Sequence, residues 1–136
     1  MVTVLWIEDE IHNLEALKKM LARRGINIIK ARSKSEALEK LSLKFDLILL
    51  DVILPQYSVP QSLSAQNKQE PYEDLVGLGI LRTLVTKNYS VPIFVFTIVN
   101  AIEVRKEIED YGIPYYYKGS TRLSNLCDDI IKVTGG

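Results

Sequence analysis

The chain has 136 residues, 47% of them hydrophobic and 25% charged, with 17 Lys and Arg against 17 Asp and Glu. That length is expected to form one compact domain, residues 1–136. Zero net charge sets no field toward nucleic acid or membrane, and neither is expected as a direct partner. The single cysteine, Cys127, excludes an internal disulfide and suits a reducing cytoplasm, the expected location. No secretory leader is expected, and no apolar run approaches the roughly 20 residues of a bilayer span.

Short apolar runs alternate with segments of helical period. Residues 2–7, VTVLWI, are apolar nearly throughout, as a strand buried on both faces should be. Ile11, Leu14, Leu17 and Leu21 then recur every three or four residues, which predicts an amphipathic helix ended by Gly25. INIIKA (26–31) predicts a more polar strand, nearer an edge. Ser33 and Glu36 form a capping box that opens a helix carrying Ala37, Leu38 and Leu41. FDLILLD (45–51) is the most apolar strand and stops in a carboxylate. A polar stretch rich in Gln, Ser and Pro follows, and the next helix carries Leu78, Leu81, Leu84 and Val85. VPIFVFT (91–97) predicts a strand ending at Thr97. Ala101, Val104, Ile108 and Tyr111 mark a helix, IPYYYK (113–118) a last strand ending at Lys118. Leu123, Leu126, Cys127, Ile130 and Ile131 mark the final helix.

This βαβαβαβαβα order predicts an α/β fold, a doubly wound parallel sheet of five strands with helices on both faces. Ligands of such sheets bind at the carboxyl ends of the strands. Four strands end in polar side chains able to meet there: Glu8 with Asp9, Asp51, Thr97 and Lys118. Converging carboxylates repel one another unless a cation compensates. An all-oxygen set suits Mg²⁺, whereas His12 and Cys127 lack partners at zinc-ligand spacing. Mg²⁺ and Lys118 would offset the charge of a phosphoryl group, and the Thr97 hydroxyl would donate to one of its oxygens. Asp51 is then the candidate nucleophile for an aspartyl phosphate, and Glu8 and Asp9 the candidate metal ligands.

The acidic pair after the first strand, DVILP after the third, the threonine ending the fourth and the lysine ending the fifth together resemble a response-regulator receiver domain (CheY-like) of two-component phosphorelay signalling. The resemblance covers essentially the whole chain and implies the flavodoxin-like strand order 2-1-3-4-5. It implies Asp51 as phosphoacceptor, and Mg²⁺ held by Glu8, Asp9, Asp51 and the backbone carbonyl of Ile53. Thr97 and Lys118 would contact the phosphoryl group, and Tyr115 would be the rotameric switch aromatic. The implied partners are a histidine kinase or histidine phosphotransfer protein and a downstream effector. Phosphorylation would repack the face of the fourth helix, fifth strand and fifth helix, which is also where a homodimer would form. Turnover is not implied, only transfer to the chain's own Asp51 and loss from it.

Four features depart from the pattern. Glu8 stands where Asp is commoner. Gly119 follows the lysine where proline is usual, and its backbone freedom is expected to hold Lys118 less rigidly. Ile53 and Ile98 put bulky apolar groups near Asp51, expected to hinder attacking water and lengthen the phosphoryl lifetime. The glycine that should follow the phosphoacceptor closely is matched by Gly77, which leaves an inserted loop over about 56–76, on the order of 18 residues longer than usual. That loop is either a lid or partner-reading element, or a solvated excursion without a role.

Singly, these residues have plainer explanations: Thr97 as a helix cap, Lys118 as a surface lysine, Tyr115, Tyr116 and Tyr117 as strand packing. His12 is expected at the surface, and Trp6 and Cys127 in the core. Gly77 and Gly79 do not follow a strand as a dinucleotide-binding turn requires. Two rivals to the switch remain: a phosphorylation-independent, receiver-like interaction module, and an aspartate-nucleophile phosphatase. The latter typically carries a second Asp where this chain has Ile53.

Overall fold

In the computed structural model the apolar runs become five parallel strands, β1 (Thr3–Ile7), β2 (Asn27–Ala31), β3 (Leu47–Leu50), β4 (Ile93–Thr97) and β5 (Tyr115–Tyr117). Their spatial order is β2-β1-β3-β4-β5, as expected. The structure describes residues 1–55 and 75–135, with the backbone alone at 12 and 13. Most of the loop expected over 56–76 therefore lies outside the described residues, as does the side chain of His12. Its last two residues do not belong to it: Leu75 bridges Leu54, and Val76 opens a helix.

Crossover helices cover a parallel sheet on both faces, so its central strands must be apolar in both directions. Accordingly β3 and β4 are buried at every position and β1 from Val4 onward, while the edge strands β2 and β5 are mostly half-buried. On one face Leu5, Ile7, Ile48, Leu50 and Val95 pack against α2 (Lys34–Lys40), α3 (Val76–Thr86) and α4 (Ile102–Asp110). On the other, Val4, Trp6, Leu49, Phe94 and Phe96 meet α1 (Glu15–Arg23) and α5 (Leu123–Thr134). Trp6 and Cys127 belong to this second core, as expected.

Several local expectations need correction. The first helical period splits into a 3₁₀ turn (Ile11–Leu14) and α1. Leu38 is not part of the buried face of α2. Ala37 and Leu41, four residues apart, share that face, while Leu38 lies about 100° around the helix and is 52% exposed. The capping box is shifted by one residue. Ser33 Oγ accepts from the Glu36 N–H at 3.2 Å, but the Glu36 carboxylate accepts from the N–H of Arg32, at 3.1 Å, rather than from that of Ser33. Ala101 is the exposed residue before α4 and Tyr111 the residue after it, so Ile108 is the one fully buried side chain of that helix.

The return of the chain after β3 depends on Gly77. A Cβ there would lie 2.0 Å from the Asp51 carbonyl oxygen and 2.7 Å from the Val52 Cα. Only glycine lets α3 start against the backbone of the strand that ends in Asp51, and its N–H donates to the Val52 carbonyl at 3.0 Å.

Candidate functional site

Parallel pairing in register brings the strand ends together. Ile7 lies opposite Leu50, Leu50 opposite Val95, and Thr97 opposite Tyr117. The next residue of β1, β3 and β5 is thus Glu8, Asp51 and Lys118. The Lys118 ammonium donates to Glu8 Oε1 at 2.6 Å and to Asp51 Oδ2 at 3.0 Å. The second oxygens accept from backbone: Asp51 Oδ1 from the Ile53 N–H at 3.0 Å, and Glu8 Oε2 from the Glu10 N–H at 3.3 Å. Thr97 is fully buried, its Oγ accepting from the Val99 N–H at 3.3 Å, and its carbonyl accepts from the Lys118 N–H at 2.8 Å.

Burial makes this cluster electrostatically expensive. Glu8 is 1% exposed and Asp51 3%, and one ammonium serves two carboxylates. Burial first, and the Asp51 charge second, push the Glu8 carboxyl up to about 8 despite Lys118. Burial works against the Lys118 charge, but the Asp51 and Glu8 carboxylates outweigh it and hold the ammonium above its usual range. With both carboxylates ionised, the cluster is one positive charge short.

Five of the strand-end candidates were Glu8, Asp9, Asp51, Thr97 and Lys118. Hydrogen bonds link four of them, either side chain to side chain or, at Thr97, through its carbonyl. Asp9 is half-buried, but among the described residues no three His, Cys, Asp or Glu side chains are grouped to hold a metal ion. Glu8 and Asp51 are the acids that meet on Lys118. Mg²⁺ is commonly bound through one or two carboxylates while it keeps several waters. Two carboxyl groups that share one ammonium fit that ion.

Tyr115 is half-buried against the α2–α3–α4 core, and its hydroxyl donates to the Val99 carbonyl and, at 3.4 Å, to Asn100 Oδ1. The Arg105 guanidinium of α4 lies over its ring, 5.2 Å from the centroid. Tyr116 points to the other face, against Phe94 at 5.4 Å and on Asp129 of α5 at 2.8 Å. Ile53 is half-buried, whereas Ile98 is 60% exposed.

The role expected for Gly119 changes. Its φ is not positive, so left-handed freedom is not what it supplies. A Cβ there would lie 2.4 Å from the Tyr117 ring, so the missing side chain makes room for that ring. Nothing local in the sequence marks this contact, nor the Arg105–Tyr115 contact; the Arg105–Glu109 pair, four apart on α4, was the one legible hint.

No family model matches the chain. Among curated proteins it is 29% identical over 125 residues to a cyclic di-GMP phosphodiesterase of Thermotoga maritima, covering 92% of this chain and 29% of that protein. It is 33% identical over 78 residues to the transcriptional regulatory protein CpxR of Escherichia coli K12, covering 56% of this chain and 34% of CpxR. The chain thus spans about a third of the length of these relatives. Among solved structures, a CheY-like receiver domain protein from Methanospirillum hungatei superposes with a TM-score of 0.73 at 18% identity, over 99% of this chain and 94% of that one. The response regulator TrrA of Thermotoga maritima, in complex with Mg(2+)-BeF, superposes at 0.69 and 24% identity, over 98% and 99%. The fold is that of the response-regulator receiver domains. No helix among the described residues is long and apolar enough to cross a membrane.

Proposed function

We propose that the chain is a phosphorylation-activated signalling switch that accepts a phosphoryl group on Asp51 with the help of Mg²⁺. The observation that carries this reading is the buried Glu8–Lys118–Asp51 cluster at the carboxyl ends of three parallel strands, two carboxyl groups sharing one ammonium. Glu8 and Asp51 would hold the metal, with the Ile53 carbonyl and Asp9 completing the set directly or through water. Bound there, Mg²⁺ would neutralise charge on the incoming phosphoryl oxygens.

The remaining chemistry belongs to the chain. An Asp51 carboxylate oxygen attacks phosphorus as the phosphorus–nitrogen bond of a phosphohistidine donor breaks, and the imidazole leaves with the bonding electrons. Lys118 moves from the Asp51 oxygen to a phosphoryl oxygen and keeps Glu8. Thr97 continues to accept from the Val99 N–H and donates its own proton to another phosphoryl oxygen. That draws on the 97–99 backbone, which Tyr115 also holds through the Val99 carbonyl. The donor would be a histidine kinase or phosphotransfer protein, and the output a regulated effector. The regulatory or catalytic segments of the longer relatives are properties of those proteins.

Intact-mass spectrometry after incubation with acetyl phosphate, with and without Mg²⁺, tests the reading. We expect one added phosphoryl group that requires both Mg²⁺ and Asp51 and is lost in Asp51→Ala. No adduct, together with no response to beryllofluoride, would establish the phosphorylation-independent interaction module instead. Ile53→Asn is expected to speed loss of the adduct by admitting water; an unchanged rate removes Ile53 as the shield.

A further inference from the structure

Helix α4 is attached to the domain in a different way from its neighbours. Helix α3 buries Gly77, Leu78, Ile80, Leu81 and Leu84, and α5 buries Leu126, Cys127 and Ile130, whereas α4 buries Ile108 alone and leaves Ile102 78% exposed. What α4 has instead is a polar fastening. Arg82 of α3 grips Glu107 with two hydrogen bonds, Nε to Oε2 and Nη2 to Oε1, both 2.7 Å. The Tyr111 hydroxyl at the end of α4 donates to the same Oε2 at 2.6 Å. A planar guanidinium matched to a carboxylate fixes direction as well as distance.

Both fastened helices begin at the candidate site. Helix α3 starts with Gly77 against the Asp51 backbone. Helix α4 starts five residues beyond Thr97, after the segment whose Val99 holds both Thr97 Oγ and the Tyr115 hydroxyl. Arg105, one turn into α4, lies over the Tyr115 ring and pairs with Glu109 at 3.3 Å. Any rearrangement of Thr97 and Tyr115 around a charge on Asp51 therefore strains α4 against the Arg82 grip.

We propose that the Arg82–Glu107–Tyr111 clasp is the latch that sets the resting position of α4, and so the threshold at which the site can move it. The threshold part rests on the switch reading above; the latch part does not. A latch made of charge differs from one made of apolar burial in a testable way. It can be broken by reversing one partner and remade by reversing both.

The experiment has two arms on the full chain: wild type, Arg82→Glu, Glu107→Arg, the double exchange R82E/E107R, and Glu107→Gln as the mildest variant should a reversal fail to fold. The first arm follows amide hydrogen exchange across residues 102–110 without ligand. The expected result is exchange faster by about two- to fivefold in each single variant and restored in the double exchange. Wild-type exchange in every single variant, Glu107→Gln included, overturns the latch, because Ile108 and Val104 then suffice. The second arm titrates beryllofluoride in Mg²⁺ and reads the α4 amides by NMR. The half-saturating concentration should fall by a similar factor in the single variants and return in the double exchange. A wild type that responds while all variants share its midpoint overturns the threshold. A wild type that does not respond at all overturns the switch reading and the threshold together, while the first arm still decides the latch.

Discussion

Glu8 and Glu107 are the same side chain in two settings, and the protein displaces them in opposite directions. Glu8 shares one ammonium with Asp51 in a nearly sealed site, and burial pushes its carboxyl up to about 8. Glu107 has the Arg82 guanidinium to itself on a partly solvated surface, and that guanidinium, helped by the Tyr111 hydroxyl, holds it down to about 2 against the opposing effect of burial. The difference is one of balance more than of distance, since both pairs are close, at 2.6 Å and 2.7 Å. A balanced pair at the surface fastens two helices. An unbalanced pair in the interior holds its surplus carboxyl against ionisation.

The contrast can be broken most severely at Lys118. Removing it as Lys118→Met leaves two buried carboxylates without their partner, a loss of about 3–5 kcal/mol for a buried pair. Urea denaturation without Mg²⁺ should show it most strongly near pH 8. It should be smaller at pH 5, where Glu8 takes up a proton. An unchanged midpoint at pH 8 would mean the pair contributes nothing to folding.

A steric break of similar scale is Gly77→Ala. Its Cβ would meet the Asp51 carbonyl oxygen rather than a flexible side chain, so about 3 kcal/mol or more is expected. The same denaturation series measures it, and phosphoryl acceptance should fall with it, because the displaced backbone carries Asp51.

Next comes the pH dependence of Glu8. Its folded value lies above the ordinary 4.5, so its contribution to stability is complete below about 4.5 and is lost as pH rises through about 8. In metal-free buffer, stability should therefore decline across that window by on the order of a few kcal/mol. Glu8→Gln should flatten the decline, and Mg²⁺ should oppose it. A flat wild-type profile would show that Glu8 is not burdened by its site.

The smallest effect belongs to the other glutamate. Glu107 sits below its ordinary value, so its contribution is present above about 4.5 and lost as pH falls toward about 2. Because Arg82 is more than half exposed, solvent screening limits the pair to less than about 1 kcal/mol. Comparing acid unfolding of wild type and Glu107→Gln isolates it.

What the sequence showed and what it hid divide along physical lines. Strands buried on both faces must be continuous apolar runs, so LWI, LILL and IFVF stood out, and their polar terminators pointed to the site before any geometry was known. A parallel topology forces such terminators to one end, which is why Glu8, Asp51, Thr97 and Lys118 were legible together. Asp9 follows Glu8 in the sequence but lies in the turn after β1 and is half-buried, while Glu8 and Asp51 meet on Lys118. Leu38 was misread because a short helix offers too few turns to separate its faces. The clasp was invisible, since Arg82 and Glu107 are 25 residues apart and nothing in a single sequence pairs them. Gly119 was assigned backbone freedom because glycine usually supplies it. Its use here is space for an aromatic ring two residues earlier, a contact only coordinates reveal.

The residues that flank 56–74 are tied to each other. Leu54 bridges Leu75, the Lys34 N–H donates to the Pro55 carbonyl, and Gly77 is pressed against Asp51. The described residues on either side of 56–74 thus form one closed gate. The entropy of closing a loop between fixed ends grows only with the logarithm of its length. Lengthening the chain between these tied ends is therefore expected to cost little, so an epitope, a fluorescent reporter or a second binding module can be spliced in a few residues from Asp51 while the sheet that builds the site keeps its register.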